Sequence, residues 1–202
     1  GRKSLFMPVN RSVPDVAQKR KDWNGLISGF KASDLVFLDE SGCNTDMTRR
    51  YAYSLGGSNA VDSAPLSKPK NTTILSSIQL DGTLRYTTFS GGTTVERFKR
   101  YLETDLLPHL NGNSVLIMDH MKSHHAKAVR NLLDSSGVRY IYLPPYSPDL
   151  NPIEKLWSKV KAFLRKFKAR TLDALPNAIQ NAFHSVTVSD CSGWFRFCGY
   201  AL

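Results

Sequence analysis

Three acidic side chains, Asp39, Asp119 and Glu154, occupy positions from which a folded chain can bring distant carboxylates together. Asp39 follows Leu35-Val36-Phe37-Leu38 and Asp119 follows Val115-Leu116-Ile117-Met118; short continuous apolar runs of this kind mark strands buried on both faces. If the two strands are parallel neighbours, both acids leave the sheet at one edge, where α/β sheets carry their sites. Glu154 ends the run Asn151-Pro152-Ile153-Glu154, in which Asn suits a helix N-cap, Pro the first helical position and Glu the third. Three converging carboxylates carry a charge of about −3 and stay fully ionised only where cations neutralise them. Hard oxygen ligands suit Mg²⁺ or Mn²⁺. Two such ions, roughly 3.5–4 Å apart, activate an attacking oxygen at a phosphodiester and stabilise the leaving one. Each acid also has a purely structural reading: Asp39 as a turn carboxylate, Asp119 as a helix cap, Glu154 as a capping-box partner of Asn151. Singly, the structural reading is the commoner one; jointly, two strand ends and a helix start feeding one sheet edge favour chemistry.

The elements that must position these groups follow from periodicity. Residues up to about Pro14 are polar and basic with two prolines, which reads as an arm or linker. Val16, Trp23, Leu26, Ile27 and Phe30 then approximate one helical face. After the first buried strand, Arg50 to Ser54, Thr72 to Leu80 and Leu84 to Phe89 are rich in strand formers, the last two joined by the hairpin signal Asp81-Gly82. Gly56 to Asn71 is expected to be an exposed loop. Val95, Phe98, Leu102 and Leu106 mark a helix capped by Thr93 or Thr94. The strand ending at Met118 is followed by a helical stretch from about Ser123 to Ser135, a stop at Gly137, and a strand from Arg139 to Leu143 halted by Pro144-Pro145. The final motif opens a helix whose stripe is Ile153, Leu156, Trp157, Val160, Phe163, Leu164 and Phe167. A meander followed by βαβ units predicts an α/β fold, a mixed sheet covered by helices.

A chain of 202 residues fits one domain with its own core. Apolar and charged fractions of 41% and 22% exclude a disordered tail, a collagen-like repeat or a membrane bundle. No apolar run reaches the length of a membrane span, and Gly1-Arg2-Lys3-Ser4-Leu5-Phe6 has no secretory signal character, so a cytoplasmic location is expected. Cys43, Cys191 and Cys198 are odd in number and lack Cys-x-x-Cys spacing, which points to reduced thiols rather than a disulfide framework or tetrahedral zinc. A net charge of +10 favours a polyanionic partner, nucleic acid or an acidic membrane surface.

Three blocks, Leu38-Asp39-Glu40-Ser41-Gly42, Met118-Asp119-His120 with His124 following, and Leu143-Pro144-Pro145-Tyr146-Ser147-Pro148-Asp149-Leu150-Asn151-Pro152-Ile153-Glu154, resemble those of the DDE transposases of bacterial insertion sequences related to mariner elements. The 34 residues between Asp119 and Glu154 match the Asp-Asp-34-Glu form of that superfamily. The resemblance implies an RNase H-like fold with a mixed five-stranded sheet. It implies Mg²⁺ or Mn²⁺, as two ions, at Asp39, Asp119 and Glu154. It also implies cut-and-paste transposition, in which metal-activated water nicks the element ends and the freed 3′ hydroxyl attacks target DNA, generally at TA. The expected partners are the terminal inverted repeats, target DNA, and a second copy or an upstream DNA-binding product; a membrane is not among them, and the setting would be the nucleoid. This chain has His120 where the family usually has Asn, a change in the surroundings of the metal rather than in its ligands. It also lacks the helix-turn-helix that normally precedes the catalytic domain. The expected division is thus an arm and linker helix over 1–33 and a catalytic domain over 34–202, in a shortened remnant, an isolated domain or the second product of a split reading frame.

Secondary candidates surround this core assignment. Lys155, Lys159, Lys161, Arg165, Lys166 and Lys168 form a basic helix face that tracks phosphates or is simply solvated. Lys68, Lys70 and Lys122 are further DNA contacts in flanking loops. His120, His124 and Asn151 are supporting residues around the acids, His125 a surface residue, and no zinc spacing is present among the histidines. Glu40 should face away from Asp39. Trp194-Phe195-Arg196-Phe197 reads as a packing lid. Two other functions remain open: an RNase H-like nuclease without strand transfer, and an inactive DNA-binding remnant.

Overall fold

In the computed structural model, residues 13–43, 71–120, 124, 126–167 and 174–200 are described. The expected strand over 50–54, the loop over 56–71, and Lys68, Lys70, Lys122, His125 and Lys168 lie outside them or largely so. Helix α1 (Val13–Ile27) comes first, followed by β1 (Leu35–Cys43), β2 (Thr72–Ile78), β3 (Leu84–Ser90) and α2 (Val95–Tyr101). Then come β4 (Val115–Met118), α3 (Lys127–Ser136), β5 (Arg139–Tyr142), α4 (Ile153–Phe167), α5 (Leu175–His184) and α6 (Val188–Phe197). The five strands form one sheet in the order β3-β2-β1-β4-β5. β1, β2 and β3 pair antiparallel, whereas β4 joins β1, and β5 joins β4, in parallel. The expected mixed five-stranded sheet flanked by helices is therefore present.

Local chemistry sets the element ends. Gly82, at φ +90°, closes the β2–β3 hairpin while Asp81 accepts from the Thr83 N–H at 2.9 Å. The Thr94 hydroxyl caps α2 by accepting from Arg97 N, and a π-helical turn, Leu102–Leu106, extends that helix. α3 stops at Gly137, which takes the left-handed conformation at φ +73° that a side chain would oppose. A capping box of Thr187 and Asp190 starts α6.

Alternation along β1 feeds two cores. Leu35, Phe37 and Cys43 face the layer of α4, α5 and α6, where Phe37 meets Phe195 edge-on with ring centres 5.4 Å apart. Val36 and Leu38 face α2 and α3 through Phe98, Tyr101, Leu102, Val129 and Leu133. Both faces of the central strands are thus dry, which is why their sequence runs are continuous rather than alternating. Trp23 buries α1 into the first core, so this helix packs as part of the same body. No helix of the described residues is long and apolar enough to cross a membrane. The three cysteines are buried and unpaired with one another, and burial raises their thiols to about 11, consistent with inert reduced side chains.

One boundary differs from expectation. β1 does not stop at Asp39: beyond Leu38 it loses β4 but keeps β2 as a partner to Cys43, so Asp39 lies opposite Ser76 within the antiparallel ladder. Ser41 and Gly42 are weak strand formers, and the ladder to β2 supplies the hydrogen bonds that their own propensities do not predict.

Candidate active site

Leu38 and Met118 form the last rung of the parallel pair β1–β4, which puts Asp39 and Asp119 one residue beyond it on adjacent strands. Asp39 is buried at 6% exposure, whereas the Asp119 side chain is 35% exposed and faces the opening. Glu154 reaches the same place from α4. Buried Leu150 and Ile153 fix the helix entry, and the Asn151 side-chain oxygen accepts from Ile153 N at 3.3 Å. One turn on, the Trp157 indole N–H donates to Asp39 Oδ2 at 3.3 Å, joining helix to strand over the site.

The electrostatics show that the three acids share one environment. Burial, then the charge of Asp119 and that of Glu154, push the Asp39 carboxyl up to about 8, against hydrogen bonds from the Glu40 backbone and Trp157. Glu154 is raised too, first by burial and also by Asp119, while a hydrogen bond with Asp39 and the charge of Lys161 hold it down. Asp119, Glu154, His120, Pro144, Tyr146 and Pro148 are among the walls of a cavity of about 200 Å³. Among the described residues no three His, Cys, Asp or Glu side chains are gathered tightly enough to share one ion as they stand. The donor set nevertheless fits a hard divalent cation. Asp119 and Glu154 line the cavity, and buried Asp39 feels the charge of both, its carboxyl raised first by burial and then by those charges.

Around the acids, His124 is fully buried, lies stacked on Phe98 at 4.3 Å, and sets its Nδ1 2.7 Å from Asp119 Oδ1. The Tyr142 hydroxyl donates to the His124 carbonyl at 2.8 Å. His120 lines the cavity with its ring stacked on Tyr142, 5.3 Å between centres. Glu40 lies at the next position along β1, on the opposite face from Asp39, as expected. On α4, Lys155 sits over the Phe197 ring at 4.2 Å and Lys159 pairs with Asp190, while Arg165 and Lys166 are exposed. Of the aromatic cluster in α6, Phe195 is core and Phe197 is 68% exposed.

Two contacts were not visible beforehand. The Trp157 donor lies within an apolar stripe, where nothing in the spacing separates it from its core neighbours. The Arg20 guanidinium grips Asp149 through two bonds of 3.0 and 2.5 Å and reaches Ser147 Oγ at 3.2 Å, tying α1 to the loop before Glu154. That exposed pair raises Arg20 and lowers Asp149 relative to their ordinary values, chiefly through its hydrogen bonds.

Known proteins share this fold. The "Transposable element Tc1 transposase" of Caenorhabditis elegans is 29% identical over 97 residues, 46% of this chain and 36% of that protein. Among solved structures, the Mos1 transposase paired-end complex with left transposon end superposes with a TM-score of 0.72 at 18% identity, over 97% of this chain and 62% of that one. The catalytic domain of Mos1 mariner transposase gives 0.68 at 16% identity, over 95% and 91%. The chain thus spans about a third of the curated relative and under two thirds of the full Mos1 chain, and it shares the RNase H-like fold of the Mos1 catalytic domain. The profile of the DDE superfamily endonucleases matches residues 34–176, a stretch that begins at the strand carrying Asp39 and takes in Asp119 and Glu154, and this chain belongs to that family, close to the Tc1/mariner transposases.

Proposed function

We propose that this chain is the catalytic part of a cut-and-paste transposase, cleaving DNA at element ends and joining the freed 3′ hydroxyl to a target. The observation that carries the reading is the parallel register that sets Asp39 and Asp119 side by side, with Glu154 electrostatically coupled to both. Bound at Asp39, Asp119 and Glu154, two Mg²⁺ or Mn²⁺ ions would activate the attacking water or hydroxyl and stabilise the departing oxygen. The chain's own residues prepare that step. Asp39 would have to lose its proton to hold a cation, and Trp157 keeps one of its oxygens oriented. His124 holds Asp119 Oδ1 and so fixes a carboxylate that would hold an ion. His120 lies beside the pair, against Tyr142, in the place the family usually gives to Asn. Lys161, close enough to stabilise ionised Glu154, and exposed Arg165 and Lys166 would guide the phosphate backbone.

The finer features belong to the same proposal: an insertion-sequence origin with the Asp-Asp-34-Glu spacing, terminal inverted repeats and TA target DNA as substrates, assembly as a homodimer or with a DNA-binding partner, and action at the nucleoid. Relatives with this fold were crystallised as a paired-end complex with a transposon end, with Mn and with Mg, which supports both the substrate class and the metals. The decisive assay is nicking and strand transfer on end-bearing DNA with Mn²⁺. Asp39→Asn, Asp119→Asn and Glu154→Gln should each lose both activities while DNA binding persists. Cutting retained in all three variants would overturn the assignment, and nicking without joined product would reduce it to a nuclease.

A further inference from the structure

Cys43, Thr72 and Ser90 share the last rung of the antiparallel ladders that join β1 to β2 and β2 to β3. This rung lies four residues beyond Asp39 along β1. The three strands thus project as a tongue about 13 Å past the acid and about 10 Å wide from β1 to β3. At the β1 end a cation comes from the face covered by α4: Lys161 is close enough for its charge to act on the Cys43 thiol. At the β3 end a second comes from α2, which packs on the opposite face. Arg97 donates through Nη1 to the carbonyls of Ser90 and Gly92, at 2.7 and 2.9 Å, and its guanidinium lies over the Phe89 ring at 4.9 Å.

The socket for this guanidinium is fixed from several sides. Gly91, at φ +82°, turns the chain so that the carbonyls on either side of it converge on Nη1. Its N–H donates to the Asn71 carbonyl at 2.9 Å and its own carbonyl accepts from the Thr73 hydroxyl at 2.6 Å, which ties the turn to the start of β2. Carbonyls and an aromatic ring orient a guanidinium without cancelling its charge. Arg97 is exposed and has no acidic partner among the described residues, and its Nε and Nη2, the fork that meets a phosphate side-on, carry no other bond among them. The rotamer freedom that a long cation ordinarily loses on binding is therefore already lost. We propose, resting on the DNA-cleaving reading above, that Arg97 holds a backbone phosphate of the duplex whose phosphodiester lies at the carboxylates, so that the duplex is gripped across the tongue by Lys161 from one face of the sheet and Arg97 from the other. The Arg97 socket lies roughly 16 Å from Asp39, less than half a turn of duplex, so one duplex reaches both. A contact of this kind positions DNA without reading its sequence.

Arg139 supplies a control of like chemistry. Its guanidinium also lies over a phenylalanine ring, that of Phe30 at 5.0 Å, and donates to a carbonyl, that of Asn113 at 3.3 Å, but it starts β5 at the end of the sheet away from the acids. The test measures the affinity of the full chain for a fluorescein-labelled, end-bearing duplex by anisotropy, with Ca²⁺, between roughly 50 and 200 mM salt. Arg97→Gln should flatten the slope of log affinity against log salt by about 0.9 and weaken binding about ten-fold at the low end. Arg97→Lys, which keeps the charge, should keep the slope, and Arg139→Gln should match wild type. An unchanged slope in Arg97→Gln would overturn the proposal. Binding weakened by one factor at every salt, together with a lower melting temperature, would do the same by showing that Arg97 only braces the Gly91 turn. Equal flattening in Arg97→Gln and Arg139→Gln would also overturn it, as the mark of charge without location. Nicking of the same duplex by wild type with Mn²⁺ separates the two claims: an Arg97-dependent slope without nicking keeps this surface and removes the reaction, whereas nicking with a wild-type slope in Arg97→Gln does the reverse.

Discussion

Asp39 stands between burial, which opposes its charge, and a site whose chemistry requires that charge. In the unfolded chain its carboxyl ionises near 3.8, and in the fold it is pushed up to about 8 by burial and by Asp119 and Glu154. Below the lower value both states hold the proton and the stability is complete. Between the two, only the unfolded chain ionises, so stability declines as pH rises and levels off beyond about 8. Asp39→Asn cannot ionise, and its melting temperature should match wild type near pH 4 and exceed it by roughly 5 °C near pH 8.5 without metal; a gap that does not change with pH would contradict the assigned environment. Trp157→Phe keeps the packing but removes a hydrogen bond that lowers the Asp39 carboxyl. The pH at which added Mn²⁺ begins to raise the melting temperature should then move upward in this variant, and an unmoved onset would show that the indole does not tune the acid. Asp39 and Asp119 were legible as candidates because a carboxylate after a buried apolar run is conspicuous, and Glu154 because it follows a helix-start motif. Trp157 was not, since its spacing correctly reports core packing and its N–H acquires a partner only through β1 beneath it.

β1 illustrates what periodicity carries and what it omits. Leu35 to Leu38 announced a strand buried on both sides, and the strand, helix, strand succession announced the parallel pairing of β4 with β5, whereas the pairing of β1 with β4 stood only as a condition. The four residues beyond Asp39 were not, because the β2 ladder rather than their composition makes them strand. The same distinction applies to α1. Its Trp23 marked a buried face, but nothing local indicated that Arg20 would reach Asp149, 129 positions away in the loop that presents Tyr146 and leads to Glu154. The pair is exposed, so its direct contribution to stability is small, on the order of 1 kcal/mol or less. Its consequence is positional. Arg20→Ala should lower the melting temperature by only about 2–4 °C while slowing nicking several-fold, and exchanging the charges in Arg20→Asp with Asp149→Arg should restore part of the rate. A double-mutant cycle in nicking rate checks this, and strictly additive effects would show that the two residues do not act together.

For the molecule as a whole, an excess of ten positive charges suits the proposed DNA partner without saying where it would lie. The helix face from Lys155 to Lys166 was legible as basic, but which of its cations are available depends on neighbours that a single helix cannot reveal. Lys159 is held by Asp190 at the start of α6, and Lys155 by the exposed ring of Phe197 at its end. Arg165 and Lys166 are exposed, Arg165 with its Nε on the Lys161 carbonyl, and Lys161 lies near enough to act on Glu154. A cation that displaces counterions from DNA contributes about 0.9 to the slope of log affinity against log salt, whereas one already neutralised within the protein contributes little. Lys161→Ala and Arg165→Ala should therefore each flatten that slope by close to one counterion and weaken binding at low salt. Lys159→Ala should leave the slope unchanged and instead reduce stability by up to about 1 kcal/mol, through loss of its partially exposed pair. Binding measured between roughly 50 and 200 mM salt distinguishes the two classes, and an equal loss of slope for Lys159→Ala would mean that its pair with Asp190 opens to meet DNA.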